Sequence, residues 1–175
     1  MMNANFKIRE AKNSEYEALG DFLTDVYSRI PGYPSKEEQP DYYATLQNIG
    51  TFAEKPGTFL LVAVTAGERI IGGVVYFKEM QYYGSGGSAT LEKETSGFRL
   101  LAVHPEFRGN GLGKTLCEEC IQKAKRDGNK QVIIHSTKYM QASWRIYEKL
   151  GFHKSPELDF DQDSMPVFGF RLHLA

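Results

Sequence analysis

The sequence predicts a mixed fold of strands and helices, α/β or α+β, and three observations carry that reading. Short apolar runs of strand type alternate with longer stretches whose apolar residues recur at helical spacing. A strand-like run ending at Val103 leads through a glycine-rich turn, Arg108-Gly109-Asn110-Gly111-Leu112-Gly113-Lys114, into a helical pattern. No internal repeat or long low-complexity tract interrupts the 175 residues, so one continuous domain over 1–175 is expected.

The elements follow in order. Phe6-Lys7-Ile8-Arg9 alternates like a short first strand. Asn13-Ser14 can cap a helix carrying Tyr16, Leu19, Leu23, Val26 and Ile30 on one face, which Pro31-Gly32 breaks. A second short helix is expected over Tyr42 to Asn48. Phe59 to Val64 and Ile70 to Phe77 read as strands joined by a tight turn at Ala66-Gly67-Glu68. Gly84-Ser85-Gly86-Gly87-Ser88 reads as a flexible loop tip before the fourth strand, which ends at Val103. After the turn, a helix carries Leu112, Leu116, Cys120 and Ala124 at four-residue intervals to about Arg126, and Asp127-Gly128-Asn129 stops it. Val132-Ile133-Ile134 is a buried-type strand, and a helix spans about Met140 to Leu150. Two strands, near Leu158 and from Val167 to Leu172, close the chain.

Bulk properties exclude several partner classes. Net charge is −1, from 21 basic and 22 acidic residues, so no general attraction for nucleic acid or membrane is expected. There is no apolar run of membrane-spanning length and no signal-peptide stretch, which makes a cytoplasmic chain the expectation. Cys117 and Cys120 are spaced C-x-x-C, but both fall inside a helical pattern and no second ligand pair follows. They read as reduced, packed thiols, and no metal is expected.

The glycine-rich turn carries the chemistry. A strand feeding such a turn into a helix presents unpaired backbone N–H groups and a positive helix end to phosphate. Arg108 and Lys114 add cations at its two ends. A dinucleotide fingerprint fails, because its third glycine would fall at Lys114. A nucleoside-triphosphate loop is a near miss: its first glycine would stand at Arg108, and Gln131 to Ser136 offers no Asp for magnesium. The pattern [R/Q]-x-x-G-x-[G/A] fits through Arg108, Gly111 and Gly113. Here the chain resembles the acyl-CoA pyrophosphate loop of the GNAT superfamily of N-acetyltransferases. Independent support comes from Ser143 to Phe152, which resembles the family's A-x-x-x-Y-x-x-x-G-F ending through Tyr147 and Gly151-Phe152. Ser143 stands where alanine is usual, and Met140 where many members carry an Asn that bonds the pantetheine arm.

The resemblance, strongest from about Phe98 to Phe152, implies the acyl-CoA N-acyltransferase fold, a mixed and mostly antiparallel sheet splayed between its fourth and fifth strands. It implies acetyl-CoA as co-substrate, held by the backbone from Arg108 to Lys114, by Leu101, Ala102 and Val103 on the fourth strand, and near Ser143 and Tyr147. A backbone N–H near Ala102 or Val103 would stabilise the oxyanion. Tyr147 becomes the general acid for the leaving thiolate. Family members often carry a strand carboxylate at the position of Gly97, so the base stays open among Glu94, Glu92, His135 and ordered water, with Glu94 the first side chain to test. Tyr27, Tyr33, Tyr42, Tyr43, Tyr82 and Tyr83 either line the acceptor groove or pack loops or a dimer face. The expected activity is acetyl transfer to a primary amine, a small molecule rather than a protein, by a monomer or homodimer. The alternative is an acyl-CoA-binding sensor that has lost turnover.

Overall fold

The computed structural model describes residues 5–175. Its strands are β1 (Phe6–Glu10), β2 (Thr58–Thr65), β3 (Ile70–Phe77), β4 (Thr95–Val103), β5 (Gln131–Ser136), β6 (His153–Lys154), β7 (Phe160–Gln162) and β8 (Met165–His173). Its α-helices are α1 (Tyr16–Ser28), α2 (Pro40–Gln47), α3 (Leu112–Arg126) and α4 (Gln141–Lys149). The sheet runs β1-β2-β3-β4-β5-β8-β6, with β7 paired to β8. Every pair is antiparallel except β4 with β5. The expected mixed fold is therefore present.

Both faces of the sheet are covered, which explains why β2 and β3 are apolar almost throughout rather than alternating. On one face α1 and α2 bury Leu19, Leu23, Val26 and Leu46 against Val62, Val75 and Phe77. On the other, α3 and α4 bury Leu116, Cys120, Trp144 and Tyr147 against Ile71, Phe98 and Phe170. Cys117 and Cys120 are free, buried thiols in this second layer, where burial pushes both well up from their usual range.

Three local expectations change. Asn13 and Ser14 do not cap α1; they form a 3-10 turn with Glu15, whose carboxylate accepts from the Lys12 N–H at 2.8 Å and pairs with Arg9 on β1 at 2.8 Å. The strand expected near Leu158 is β7, which starts at Phe160; Leu158 itself lies in a 3-10 turn, Pro156–Leu158, which buries its side chain completely while its carbonyl accepts from His135. The Gly84–Ser88 segment is not a free tip. Gly86 abuts the Phe160 ring, and Ser88 Oγ donates to the Glu157 carbonyl at 3.3 Å.

Candidate active site

The site begins where two parallel strands part. β4 and β5 pair only through Thr95↔Gln131, Ser96↔Val132 and Gly97↔Ile133. Past that point β4 carries one extra residue against β3: Arg99 faces Val75, but Ala102 faces Gly73. Leu100 absorbs the irregularity at φ 61, a left-handed conformation in a bulge that bends the strand. As a result Arg99 and Leu100 both serve the α1/α2 side, while Leu101 and Val103 serve the α3/α4 side. His104 N–H bonds the Ile71 carbonyl of β3. By strict alternation the Ala102 groups also belong to that ladder, and those of Leu101 and Val103 face the gap. The Leu101 carbonyl does so visibly, accepting from the Tyr27 hydroxyl at 3.0 Å.

The glycine-rich turn leaves this open edge and enters α3. Gly109 and Gly111 take φ of 82 and 77, which turns the backbone back on itself, and a side chain at either would meet nothing within 4 Å. The first helical bond is Thr115 N–H to the Gly111 carbonyl at 3.0 Å, so the N–H groups from Gly109 through Lys114 have no partner among the described residues. No acidic side chain lies in the first turn of α3. Asn110, Arg108 and Lys114 are exposed, Lys114 with only a 3.7 Å ion pair to Glu118, whereas Leu112 is core. Gly113 differs from the other two: it packs against α4, where a Cβ would stand 3.1 Å from Ile146.

Tyr147 reaches the gap from α4. Its ring packs edge-on to Phe152 at 5.9 Å and lies 6.2 Å from Phe98, and burial holds its phenol well above the usual range, with Cys117 and Tyr83 adding to the effect and the Ser143 hydroxyl opposing it. Tyr27 and Tyr83 come from the other face, the Tyr27 hydroxyl bonded to the Leu101 carbonyl and the Tyr83 hydroxyl to His135. Where β5 runs into α4, Ser136 Oγ and Thr137 Oγ1 are buried without a hydrogen-bond partner. Met140, instead of facing a polar ligand, packs against the α1/α2 layer.

The carboxylates proposed as base are elsewhere. Glu94 precedes the first residue of β4, at the end of the sheet away from the glycine-rich turn; at strand rise it stands roughly 20 Å from Leu101. Its side chain is 63% exposed and pairs with Lys130 at 3.0 Å, so Glu94 is corrected from candidate base to surface ion pair. Glu92 is tied to Arg171 at 3.1 Å on the same side. Gly97 cannot carry the strand carboxylate, since a Cβ there would lie 2.8 Å from both Met80 Sδ and Tyr83 Cε2. His135 remains. Its Nε2 lies 2.9 Å from the Leu158 carbonyl and its Nδ1 3.0 Å from the Tyr83 hydroxyl. Sequence reading missed Tyr83 as its partner, because 52 residues separate the two.

Across β4 from the α3 side lies a cleft of about 1050 Å³, lined by Tyr42, Phe52, Lys55, Arg99, Phe160 and the Gly84–Gly86 loop among others. Of the six tyrosines expected around a groove, only Tyr42 lines it. Tyr27, Tyr33 and Tyr42 pack mutually with centroids 5.9 to 6.1 Å apart, and Tyr33 also meets Tyr139. Tyr43 and Tyr83 are core, and Tyr82 packs against it.

The sequence model of the acetyltransferase (GNAT) family matches residues 20–152. The chain belongs to that family. No curated protein matches the sequence. Among solved structures, a GNAT-family acetyltransferase from Staphylococcus aureus Mu50 aligns with TM-score 0.75 at 17% identity, over 98% of this chain and 100% of the other. PaiA N-acetyltransferase from Thermoplasma acidophilum, in complex with coenzyme A, aligns at 0.73 and 17% identity over 97% and 99%. The yncA protein of Salmonella typhimurium, with its cofactor acetyl-CoA, aligns at 0.67 and 18% identity over 98% and 95%. At these identities the likeness is one of fold.

Membership makes this GNAT acetyltransferase a user of acetyl-CoA as co-substrate, and the residues present fit that molecule. Unpaired N–H groups at a positive helix end suit a pyrophosphate. An open strand edge suits a chain of amides, and the unpartnered hydroxyls of Ser136 and Thr137 supply polar contacts close by. Among the described residues no group of His, Cys, Asp and Glu is placed to hold a metal ion, and no helix is long and apolar enough to cross a membrane.

Proposed function

We propose that this acetyltransferase passes an acetyl group from acetyl-CoA to the primary amine of a small molecule, by direct attack in a ternary complex. The observation that supports it is the bulge at Leu100, which sets an open strand edge and an acceptor-sized cleft on the two sides of one strand. In this reading the acceptor enters from that cleft and attacks the thioester at the gap directly, without a covalent enzyme intermediate.

Acetyl-CoA supplies an activated thioester. The backbone from Arg108 to Lys114 holds its pyrophosphate, and Leu101 and Val103 pair with the pantetheine arm, displacing the Tyr27 hydroxyl from the Leu101 carbonyl. Ala102 contributes through the ladder that fixes this edge, so the N–H nearest the thioester oxygen is that of Val103, which polarises the carbonyl. Tyr147, raised by burial and therefore protonated at neutral pH, donates to the departing thiolate, with Ser143 one turn behind it. In this reading the Tyr83–His135 pair takes the proton from the attacking amine once the bound acceptor has opened access to the buried phenol: the phenol oxygen receives it while passing its own proton to His135 Nδ1.

Thiol release from acetyl-CoA across a panel of amines tests the reading. Acceptor-dependent release supports it, and acetylation confined to protein amino groups would replace the small-molecule acceptor. Tight CoA binding without turnover on any amine would make the chain a sensor instead.

A further inference from the structure

Arg99 and Lys55 are the cations inside the acceptor cleft, and both lack a counter-ion among the described residues. The contrast with other half-buried arginines is plain, since Arg9 and Arg171 each hold two carboxylates. Arg99 is delivered by the β4 bulge and is fixed on three sides. Its Nη1 donates to the Tyr83 carbonyl at 2.9 Å, and its guanidinium lies over the rings of Phe52 and Tyr83 at 5.9 and 5.7 Å. Lys55 approaches the same Phe52 ring, with Nζ at 4.9 Å from its centre. The two cations converge on one spot: a side chain placed on Gly84 would find Arg99 Nη1 at 3.3 Å and Lys55 Nζ at 4.0 Å.

Like charges gathered this way repel, and the apolar rings beneath them reduce the screening that water provides. An oxyanion entering the cleft relieves that repulsion and takes up the guanidinium donors that Tyr83 leaves free. The exposed carboxylates of Glu38, Asp41, Asp161 and Asp163 line the same cleft, so it offers both signs of charge. They suit the ammonium group of an incoming acceptor and disfavour a bare anion. The position of Arg99 matters as much as its charge, because the same guanidinium is bound to the Tyr83 carbonyl and lies over the Tyr83 ring, the residue proposed as base.

Resting on the acetyltransferase reading of this cleft, we infer that Arg99 and Lys55 form an anion subsite, and that the acceptor is a primary amine bearing an oxyanion group on the same small molecule. Carboxylate and phosphate share the chemistry that the subsite recognises.

The test compares amino acids with their amides and their decarboxylated amines, together with aminoalkylphosphonates of matching length. Each is measured for thiol release and, by calorimetry, for binding to the CoA-saturated protein. The expected result is a preference of at least about tenfold in kcat/KM for the charged acceptor over its amide, with the phosphonate arm separating carboxylate from phosphate specificity. Arg99→Gln should collapse that preference by raising KM for the anionic acceptor about ten- to a hundredfold, without altering KM for acetyl-CoA. Lys55→Met, on a side chain that holds no backbone group, should do the same to a smaller degree. Amide and acid turned over equally well would overturn the subsite and leave the acetyltransferase reading intact. If no amine is turned over, calorimetry decides the subsite alone: anion binding lost in Arg99→Gln supports it, and equal binding of acid and amide sinks it.

Discussion

The Tyr83 hydroxyl stands 3.0 Å from Nδ1 of His135, at the place where β5 leaves β4. A carbonyl only accepts, so His135 Nε2 must carry the proton that it shares with the Leu158 carbonyl at 2.9 Å. Nδ1 is then a bare acceptor, and Tyr83 donates to it. The same phenol ring fills the space beside Gly97 that a strand carboxylate would need. One residue thus closes the usual base position and, in the proposed mechanism, is also its substitute.

Tyr83→Phe is expected to lower kcat by about ten- to a hundredfold, the size of a lost general base, while KM for acetyl-CoA stays put. Steady-state kinetics with a competent acceptor checks this. A variant as fast as the parent at every pH would end the relay.

Burial lowers the His135 pKa below its usual value of 6.5, opposed by the hydrogen bond to Leu158 and assisted by the charge of Arg99. The group is therefore neutral, and able to accept a proton, throughout the neutral range. The expected acid limb of kcat/KM falls below pH 6.5. Stability follows the same sign. Neutral His135 is favoured in the fold, so its contribution is complete above the unfolded pKa of about 6.5 and is lost as pH falls towards the folded value. Chemical denaturation from pH 8 to pH 5 should show that loss in the parent and less of it in His135→Gln.

Tyr147 is expected to behave differently. Its phenol is held far above neutrality by burial, so its protonated form dominates at every working pH. Tyr147→Phe should cut kcat by about tenfold or more with an unchanged acid limb and an unchanged CoA dissociation constant. Loss of CoA affinity in equal measure would make the tyrosine a packing residue between Phe98 and Phe152 rather than an acid.

Much of this site was readable in the chain because its signals are local. The turn from Arg108 to Lys114 must combine left-handed glycines with a helix start, and both leave marks within a few residues. The helix that carries Tyr147 announces itself by period and by Gly151. Of the proposed base pair only His135 was readable, as one candidate among several. Glu94 is close to the fourth strand in sequence, but strand rise carries it to the wrong end of the sheet, where Lys130 claims it. Tyr83 and His135 are joined only by the tertiary fold, and Arg99 acquires its place from a bulge that no periodicity foretells. Likewise the tyrosines looked like a groove and mostly pack one another, since aromatic side chains give the same pattern for either use.

The glycines of the turn should separate binding from folding. Gly111 has open space but φ 77, so Gly111→Val strains the loop where phosphate must approach, and CoA affinity should fall at least about tenfold with a small change in melting temperature. Gly113→Val instead drives a branched side chain into Ile146, 3.1 Å from its Cβ, and should cost about 1–3 kcal/mol of stability as well as affinity. Calorimetric CoA titration beside thermal melts distinguishes the two. Equal melting losses would remove the distinction.

Gly97 gives the sharpest test of why this acetyltransferase has no strand carboxylate. A Cβ at that position would meet Met80 Sδ and Tyr83 Cε2 at 2.8 Å and the Ile133 carbonyl at 2.9 Å. The last is backbone of the neighbouring strand and cannot swing away. Gly97→Ala should therefore destabilise the fold by about 1–3 kcal/mol, and Gly97→Glu by more, because it adds a buried charge between two side chains that offer it no partner. Gly97→Glu combined with Tyr83→Ala opens the space that the ring occupied. That double variant should recover part of the lost stability and, with a carboxylate at the gap, part of the activity missing from Tyr83→Phe. Denaturant melts and acceptor-dependent thiol release on the single and double variants measure both. Strict additivity of the two stability losses would mean that the Tyr83 ring is not what keeps a side chain out of position 97.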